Sequence, residues 1–341
     1  MGLTPDTLNP MSTAAKRLPR FERKPGEIAN FEITPRDENI LLLVARHRFV
    51  RSYHIIDLIA ATDPSTSEQK ILRRLGLLFH AGFLSRPKVQ VDSYRAGAGS
   101  RPMVYILGNR GIDLLAAKYG FRRSSADWTT KARTATRGTI EHAVEVTDCM
   151  VALALACSRH GRLEMIYFDE IMRELAPAET RTNPRPYHWP VSVRPIPGRW
   201  QAREATTIYV IPDKIFGLRN LELPEGKNRA FFFLEADRGT MPVVRPGLDK
   251  SSLLRKLIGY GFTHADSLHR RYYGLPNFRV LTVVPTRQRI NTILAAHKQH
   301  TAKLFPPAVC LFADRRGLLD DKDFFAYPWL DAAGQPHYLL D

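Results

Sequence analysis

The sequence predicts an α/β protein, α+β overall, in which a winged helix-turn-helix precedes a separate α/β domain. Three observations predict it. Between residues 33 and 120, three segments of helical period are followed by two strand-like stretches around a glycine-rich loop. A polar, basic, Ser/Thr-rich stretch, FRRSSADWTTKARTATRG (121–138), then interrupts the apolar periodicity as a linker would. Beyond it, FFFL (231–234) and VLTVV (280–284) are apolar enough for strands buried on both faces.

The first 32 residues are polar and basic (KRLPRFERK) and read as a mobile arm. Order begins at ITPRDENILLLVARHRFV. Thr34 suits an N-cap, Pro35 the first helical position, and Asp37 and Glu38 the positive end of the helix dipole. A short helix is predicted at SYHIIDLIAA (52–61). A third, EQKILRRLGLLFHAGFL, turns Ile71, Leu72, Leu75 and Leu78 inward and Lys70, Arg73 and Arg74 outward. LSRPKVQVDSY and RPMVYIL then alternate like the two strands of a wing around RAGAGS. The wing carries Arg86, Lys88, Arg95 and Arg101.

The charge follows this layout. The 341-residue chain has a formal net charge of +16 and a pI near 10, which points to a polyanionic partner. From Lys70 to Arg123 there are eleven basic and two acidic residues, so 11 − 2 = +9 falls within this one segment. In a winged helix the third helix enters the major groove and the wing lies along phosphates or the minor groove. Lys70, Arg73, Arg74, Arg86, Lys88, Arg95 and Arg101 are therefore the candidate contacts to double-stranded DNA. The longest apolar runs are too short to span a bilayer, and the N-terminus has no secretory h-region. Three cysteines in no paired spacing fit a reducing cytoplasm.

The second domain is expected over 139–313, with 314–341 as a C-terminal tail. Thr139 caps a helix, TIEHAVEVTDCMVALALACSRHG. Strands follow at 162–170, 206–216, 229–239 and 277–285, with a helix (GLDKSSLLRKLIGYGFTH) before the last of them, then another helix and a final strand, AVCLFAD. A connection holding six of the 24 prolines separates the first two strands. Its Tyr187, His188, Trp189 and Trp200, interleaved with arginines, suit either a nucleic-acid strand or an irregular packed excursion.

The second strand is predicted to end in Ile211-Pro212-Asp213 and the third in Glu235-Ala236-Asp237. Alternation places Glu235 and Asp237 on one face, and antiparallel pairing brings Asp213 level with Glu235. Three carboxylates at one sheet end suit Mg²⁺ or Mn²⁺, which also bind phosphate oxygens. The alternative is neutralisation of the acids by Arg238 and other basic neighbours. Glu141 or Glu145 would add a fourth carboxylate or lie on the helix surface, and His142 reads as a packing or capping residue.

These stretches together resemble the replication-relaxation family of plasmid and mobile-element proteins. The matching residues are ITPRD, the RRL of the third helix, Glu141-His142, Pro212-Asp213, FFLEADRGT, and Lys256 with Tyr260, within about 33–312. The resemblance implies a winged helix joined to a restriction-endonuclease-like domain of the PD-(D/E)xK type with a central mixed sheet. It implies DNA binding in replication, relaxation or mobilisation of an element. By fold analogy it implies phosphodiester cleavage with Asp213, Glu235, Asp237 and Lys256 as catalytic residues. Asp237 stands where that pattern has its lysine, so Lys256 or Lys250 would supply it from the following helix. The competing reading is a non-enzymatic DNA-binding regulator whose second domain serves dimerisation or docking of a replication or mobilisation protein. No GxxxxGK[ST] loop or His-x-His pair is present, which argues against a motor or a tyrosine relaxase.

Overall fold

The computed structural model describes residues 20–24, 31–90, 102–121, 134–195, 204–302, 304–320 and 324–340. Helices α1 (Pro35–His47), α2 (Ser52–Thr62) and α3 (Glu68–His80) pack with strands β1 (Val50–Arg51), β2 (Leu84–Ser85) and β3 (Val104–Leu107), which form an antiparallel sheet in the order β1-β3-β2. Helix α4 (Asn109–Tyr119) follows. Thr34 caps α1 in a full capping box with Asp37, and Pro35 opens it as predicted. Ile71, Leu75, Leu78 and Phe79 form the buried stripe of α3. Leu72, expected inside, is 40% exposed, because only one stripe of a helix can meet the core.

The first wing strand is shorter than its alternation suggests. β2 ends at Ser85, and a 3-10 turn covers Lys88–Gln90. Pro87 has no N–H to extend the ladder. The Gln90 side chain takes the place of a strand, accepting from the Val104 N–H at 2.7 Å and donating to its carbonyl at 3.0 Å. The loop RAGAGS with Arg95, together with Arg101, lies outside the described residues, as do Trp200 and residues 122–133 of the expected linker.

Helix α5 (Arg137–His160) begins ahead of the expected cap Thr139, with Thr136 as its cap instead. The central sheet has seven strands in the order β12-β11-β10-β9-β8-β7-β4. They are β4 (Leu163–Ile166), β7 (Lys214–Asn220), β8 (Arg229–Ala236), β9 (Arg279–Val284), β10 (Cys310–Asp314), β11 (Trp329–Asp331) and β12 (Pro336–His337). β8 and β9, and β9 and β10, run parallel; the other pairs are antiparallel, so the sheet is mixed. Phe232, Leu234 and Ala236 face α5. Phe231 and Phe233 face helices α8 (Leu253–Ala265), α9 (Leu268–Tyr273) and α10 (Arg287–His300), so the strand is buried on both sides as FFFL predicts.

Three expectations need correction. The segment 206–216 is not one strand: β6 (Thr206–Val210) pairs with β5 (Trp189–Val193) in a separate two-stranded sheet, and the chain enters the central sheet only at Lys214. Pro212, without an N–H, separates the two ladders. The proline-rich connection is structured, holding α6 (Phe168–Glu174), α7 (Ala178–Thr182) and β5. Residues 314–341 contribute α11 (Arg315–Asp320) and two strands of the sheet, with Trp329 fully buried, rather than forming a tail.

Gly259 sets how closely α8 approaches β6. A Cβ there would lie 2.5 Å from Val210 Cγ2, nearer than real Cβ contacts come. Gly259→Ala is expected to cost about 1–3 kcal/mol of stability, readable in a denaturant titration, because a packed sheet and helix must separate to admit the methyl.

Candidate active site

The site forms where β7 begins and β8 ends. Lys214 pairs with Leu234 across the antiparallel ladder, and the Asp213 N–H donates to the Leu234 carbonyl at 3.0 Å. This register sets Asp213 opposite Glu235, as the pairing argument expects. The Ala236 N–H donates to Asp213 Oδ2 at 2.8 Å, and His142 Nε2 lies 3.1 Å from Oδ1. Burial pushes the Asp213 carboxyl up, but the His142 hydrogen bond, the Lys256 charge and the Ala236 N–H outweigh it and hold the pKa below the usual value. The hydrogen bond to Asp213 in turn raises His142.

Glu235 lies on the opposite strand, 3% exposed. Tyr260 on α8 donates to its Oε1 at 2.5 Å, and Lys256, one turn earlier on the same helix, pairs with its Oε2. The i, i+4 spacing puts both side chains on the helix face over the sheet. Burial, with the Asp213 charge adding to it, pushes Glu235 up to about 7 despite Lys256 and Tyr260. The fields of Glu235 and Asp213 overcome the burial of Lys256 and raise it. The Lys256 ammonium therefore pairs directly with Glu235 and acts on Asp213 only through its field, while His142 is the direct partner of Asp213.

The raised Glu235 carboxyl has a stability consequence. Glu235 keeps its proton on folding between its unfolded value of 4.5 and its folded value of about 7. Its contribution is therefore fully present below about pH 4.5 and lost as pH rises to about 7. The loss is on the order of 3 kcal/mol, since each tenfold change in proton affinity is worth ~1.4 kcal/mol. In chelator, Glu235→Gln is expected to gain stability relative to wild type across this interval and to run parallel above it. Denaturant midpoints at pH 4.5, 6 and 8 check this.

The three carboxylates do not make one donor group. Among the described residues, no three His, Cys, Asp or Glu side chains form a cluster able to hold a metal. Asp237 leaves the set because it follows the last ladder residue of β8. Its Oδ2 accepts from Arg289 Nε of α10 at 2.8 Å and its Oδ1 from the Gly239 N–H at 3.1 Å. In the alternative of neutralised acids, the basic partners are His142, Lys256 and Arg289, while Arg238 reaches α5, with Nη2 3.0 Å from Glu141 Oε2. Glu145 pairs with Arg315 at 2.9 Å, so neither helix glutamate joins Asp213.

Lys256 occupies the position the sequence assigns to a lysine from the following helix. His142 is more than a packing residue, and Arg289 has no counterpart among the expected site residues. No local pattern marks Arg289, which reaches Asp237 through the tertiary fold, and His142 is legible only in the Glu141-His142 stretch that resembles the family. Tyr260 is legible in the sequence only beside Lys256, in the stretch that resembles the family.

The expected DNA contacts divide in two. Lys70, Arg73 and Lys88 are exposed. Arg74 instead grips buried Asp37, with Nε 2.7 Å from Oδ1, and stacks 4.7 Å over Phe31. Arg86 stacks 4.0 Å over Phe79 and donates to the Arg20 carbonyl at 2.7 Å. Both are parts of the first core.

Helix-and-sheet N-terminal unit, mixed central sheet and acid–lysine cluster define a two-part α/β protein with a polar centre at one sheet end. The chain belongs to the replication-relaxation family, which matches residues 41–276 and points to a role in replication or relaxation. No curated protein and no solved structure matches it. No helix among the described residues is long and apolar enough to cross a membrane.

Proposed function

We propose that the protein binds double-stranded DNA through the exposed Lys70, Arg73 and Lys88 and hydrolyses a phosphodiester at Asp213, Glu235 and Lys256. The carrying observation is the register that sets Asp213 opposite Glu235 with the Lys256 ammonium on the glutamate. Two adjacent carboxylates, Asp213 beside His142 and Glu235 beside Lys256, suit a hard divalent cation, Mg²⁺ or Mn²⁺, which commonly takes one or two carboxylates and completes its shell with water and substrate phosphate. Bound there, such an ion supplies an activated water and neutralises charge developing on phosphorus. Asp213 and Glu235 would hold it. Lys256, released from part of its contact with Glu235, would orient the attacking water and steady the anionic transition state. Asp237, held by Arg289, stands outside this pair of ligands.

One observation favours a second reading, a non-cleaving regulator acting with a replication or mobilisation protein or as a homodimer: each strand acid has its own basic partner, His142, Lys256 or Arg289. Supercoiled plasmid incubated with the protein in Mn²⁺, Mg²⁺ or chelator separates the two. Nicked or linear product that requires the metal supports cleavage. Binding without product under every metal supports the regulator.

A further inference from the structure

A cleft of about 840 Å³ lies between the end of α1, the β3–α4 segment, α6 and the start of β7, so both parts of the molecule build it. His47 lines it at 1% exposure, and neither ring nitrogen has a hydrogen-bond partner among the described residues. Leaving buried polar atoms unpaired is unfavourable, and a ligand supplying partners removes that cost. The imidazole is neutral, since burial and the nearby Lys214, His54 and Arg46 charges hold it well below its usual pKa, so it presents one donor and one acceptor.

The lining is also charged in one sense. Arg46, Arg48, Lys118, Arg173, Arg181 and Lys214 face two acids, Asp169 and Glu170, while Lys118 and Arg173 also pair with Glu38 and Glu174 beyond the lining. Arg46 alone engages both acids, at 2.9 and 3.0 Å. Buried Lys214 donates to the Arg46 carbonyl at 2.7 Å, and burial with the nearby Arg48 charge lowers it to about 7. Leu107, Phe168 and Met172 supply apolar wall. A volume in the few-hundred to thousand Å³ range with apolar walls and a few convergent polar groups is the usual form of a small-molecule site.

We propose that this cleft binds a small organic anion with a flat apolar body, its acid group held by the cationic lining and its polar edge by His47. The test is calorimetric titration of the full chain, in chelator, with naphthalene-2-carboxylate and its neutral carboxamide. The acid is expected to bind at least tenfold tighter than the amide. His47→Phe is expected to weaken the acid at least tenfold while leaving the melting temperature unchanged or higher, because it removes unpaired nitrogens. A merely structural histidine would instead lower the melting temperature and leave binding alone. Met172→Trp, which fills the wall, is expected to abolish binding and decides the matter if His47→Phe fails to fold. Equal affinity for acid and amide, no saturable binding of the acid, or wild-type affinity in Met172→Trp would overturn the proposal. The readout is metal-free binding, so it stands or falls apart from plasmid cleavage.

Discussion

Asp213→Ala is expected to lower metal-dependent plasmid cleavage at least about a thousandfold, roughly 4 kcal/mol of transition-state stabilisation, while duplex binding stays within about twofold. The asymmetry follows from geometry. The substitution removes both carboxylate oxygens from the centre but keeps the backbone bond from residue 213 to Leu234, so the β7–β8 register survives. The cations assigned to DNA lie exposed on α3 and after β2, on elements that pack around the other core. Deleting an acid cannot weaken their hold on phosphates, and binding should retain its steep salt dependence. Single-turnover nicking and a mobility-shift titration with one preparation measure both quantities. Cleavage by Asp213→Ala at the wild-type rate would remove Asp213 from the chemistry.

The second large effect is on stability. Arg74→Met is expected to cost about 2–3 kcal/mol, because it strands the Asp37 carboxylate, which has no exposed surface. Burial pushes Asp37 up, but the Arg74 hydrogen bonds, those of Thr34 and the Arg74 charge hold it below 3.8. The Thr34 N–H and hydroxyl remain in the variant, at 2.7 and 2.8 Å, and Arg74 is one-quarter exposed, so the loss falls short of that for a fully buried pair. The pH dependence is fixed in sign. A depressed carboxyl stabilises above its unfolded pKa and loses that contribution as pH falls through the folded value. The gap between wild type and Arg74→Met should therefore be full at pH 7 and narrow below about pH 4. Asp37→Asn in the Arg74→Met background should restore part of the loss by removing the stranded charge. In contrast, Lys70→Ala and Arg73→Ala should leave stability within about ±0.5 kcal/mol, as exposed substitutions do. Denaturant midpoints across the four variants distinguish a packing arginine from exposed ones.

Arg74 also shows where sequence reading stops. Helical period correctly places Ile71, Leu75 and Leu78 inside, because apolar spacing is a local consequence of about 3.6 residues per turn. The same pattern says only that Arg74 leaves the core stripe; it cannot say that Asp37, 37 residues earlier, waits there. The Thr34 cap, the FFFL strand and the level placement of Asp213 and Glu235 are legible for the same local reason: turn chemistry, apolar density and alternation need only neighbours. The fate of Asp237 is not. Alternation puts it on the Glu235 face, but Arg289 enters from a helix 52 positions later and takes its oxygen. The broken strand at Pro212 is readable in principle from the missing N–H. The joining of Trp329 to the sheet is not, because β11 is three residues long and too short for a period to show.

The proposed cleavage requires one divalent ion held between Asp213 and Glu235. The direct measurement is Mn²⁺ electron paramagnetic resonance on the protein bound to a short duplex at pH 8, where Glu235 is ionised. Loss of free-ion signal corresponding to one bound Mn²⁺ per chain, abolished by Asp213→Ala and retained by Asp237→Asn, is the predicted result. An unchanged free-ion signal with wild type, or equal uptake by Asp213→Ala, would contradict it.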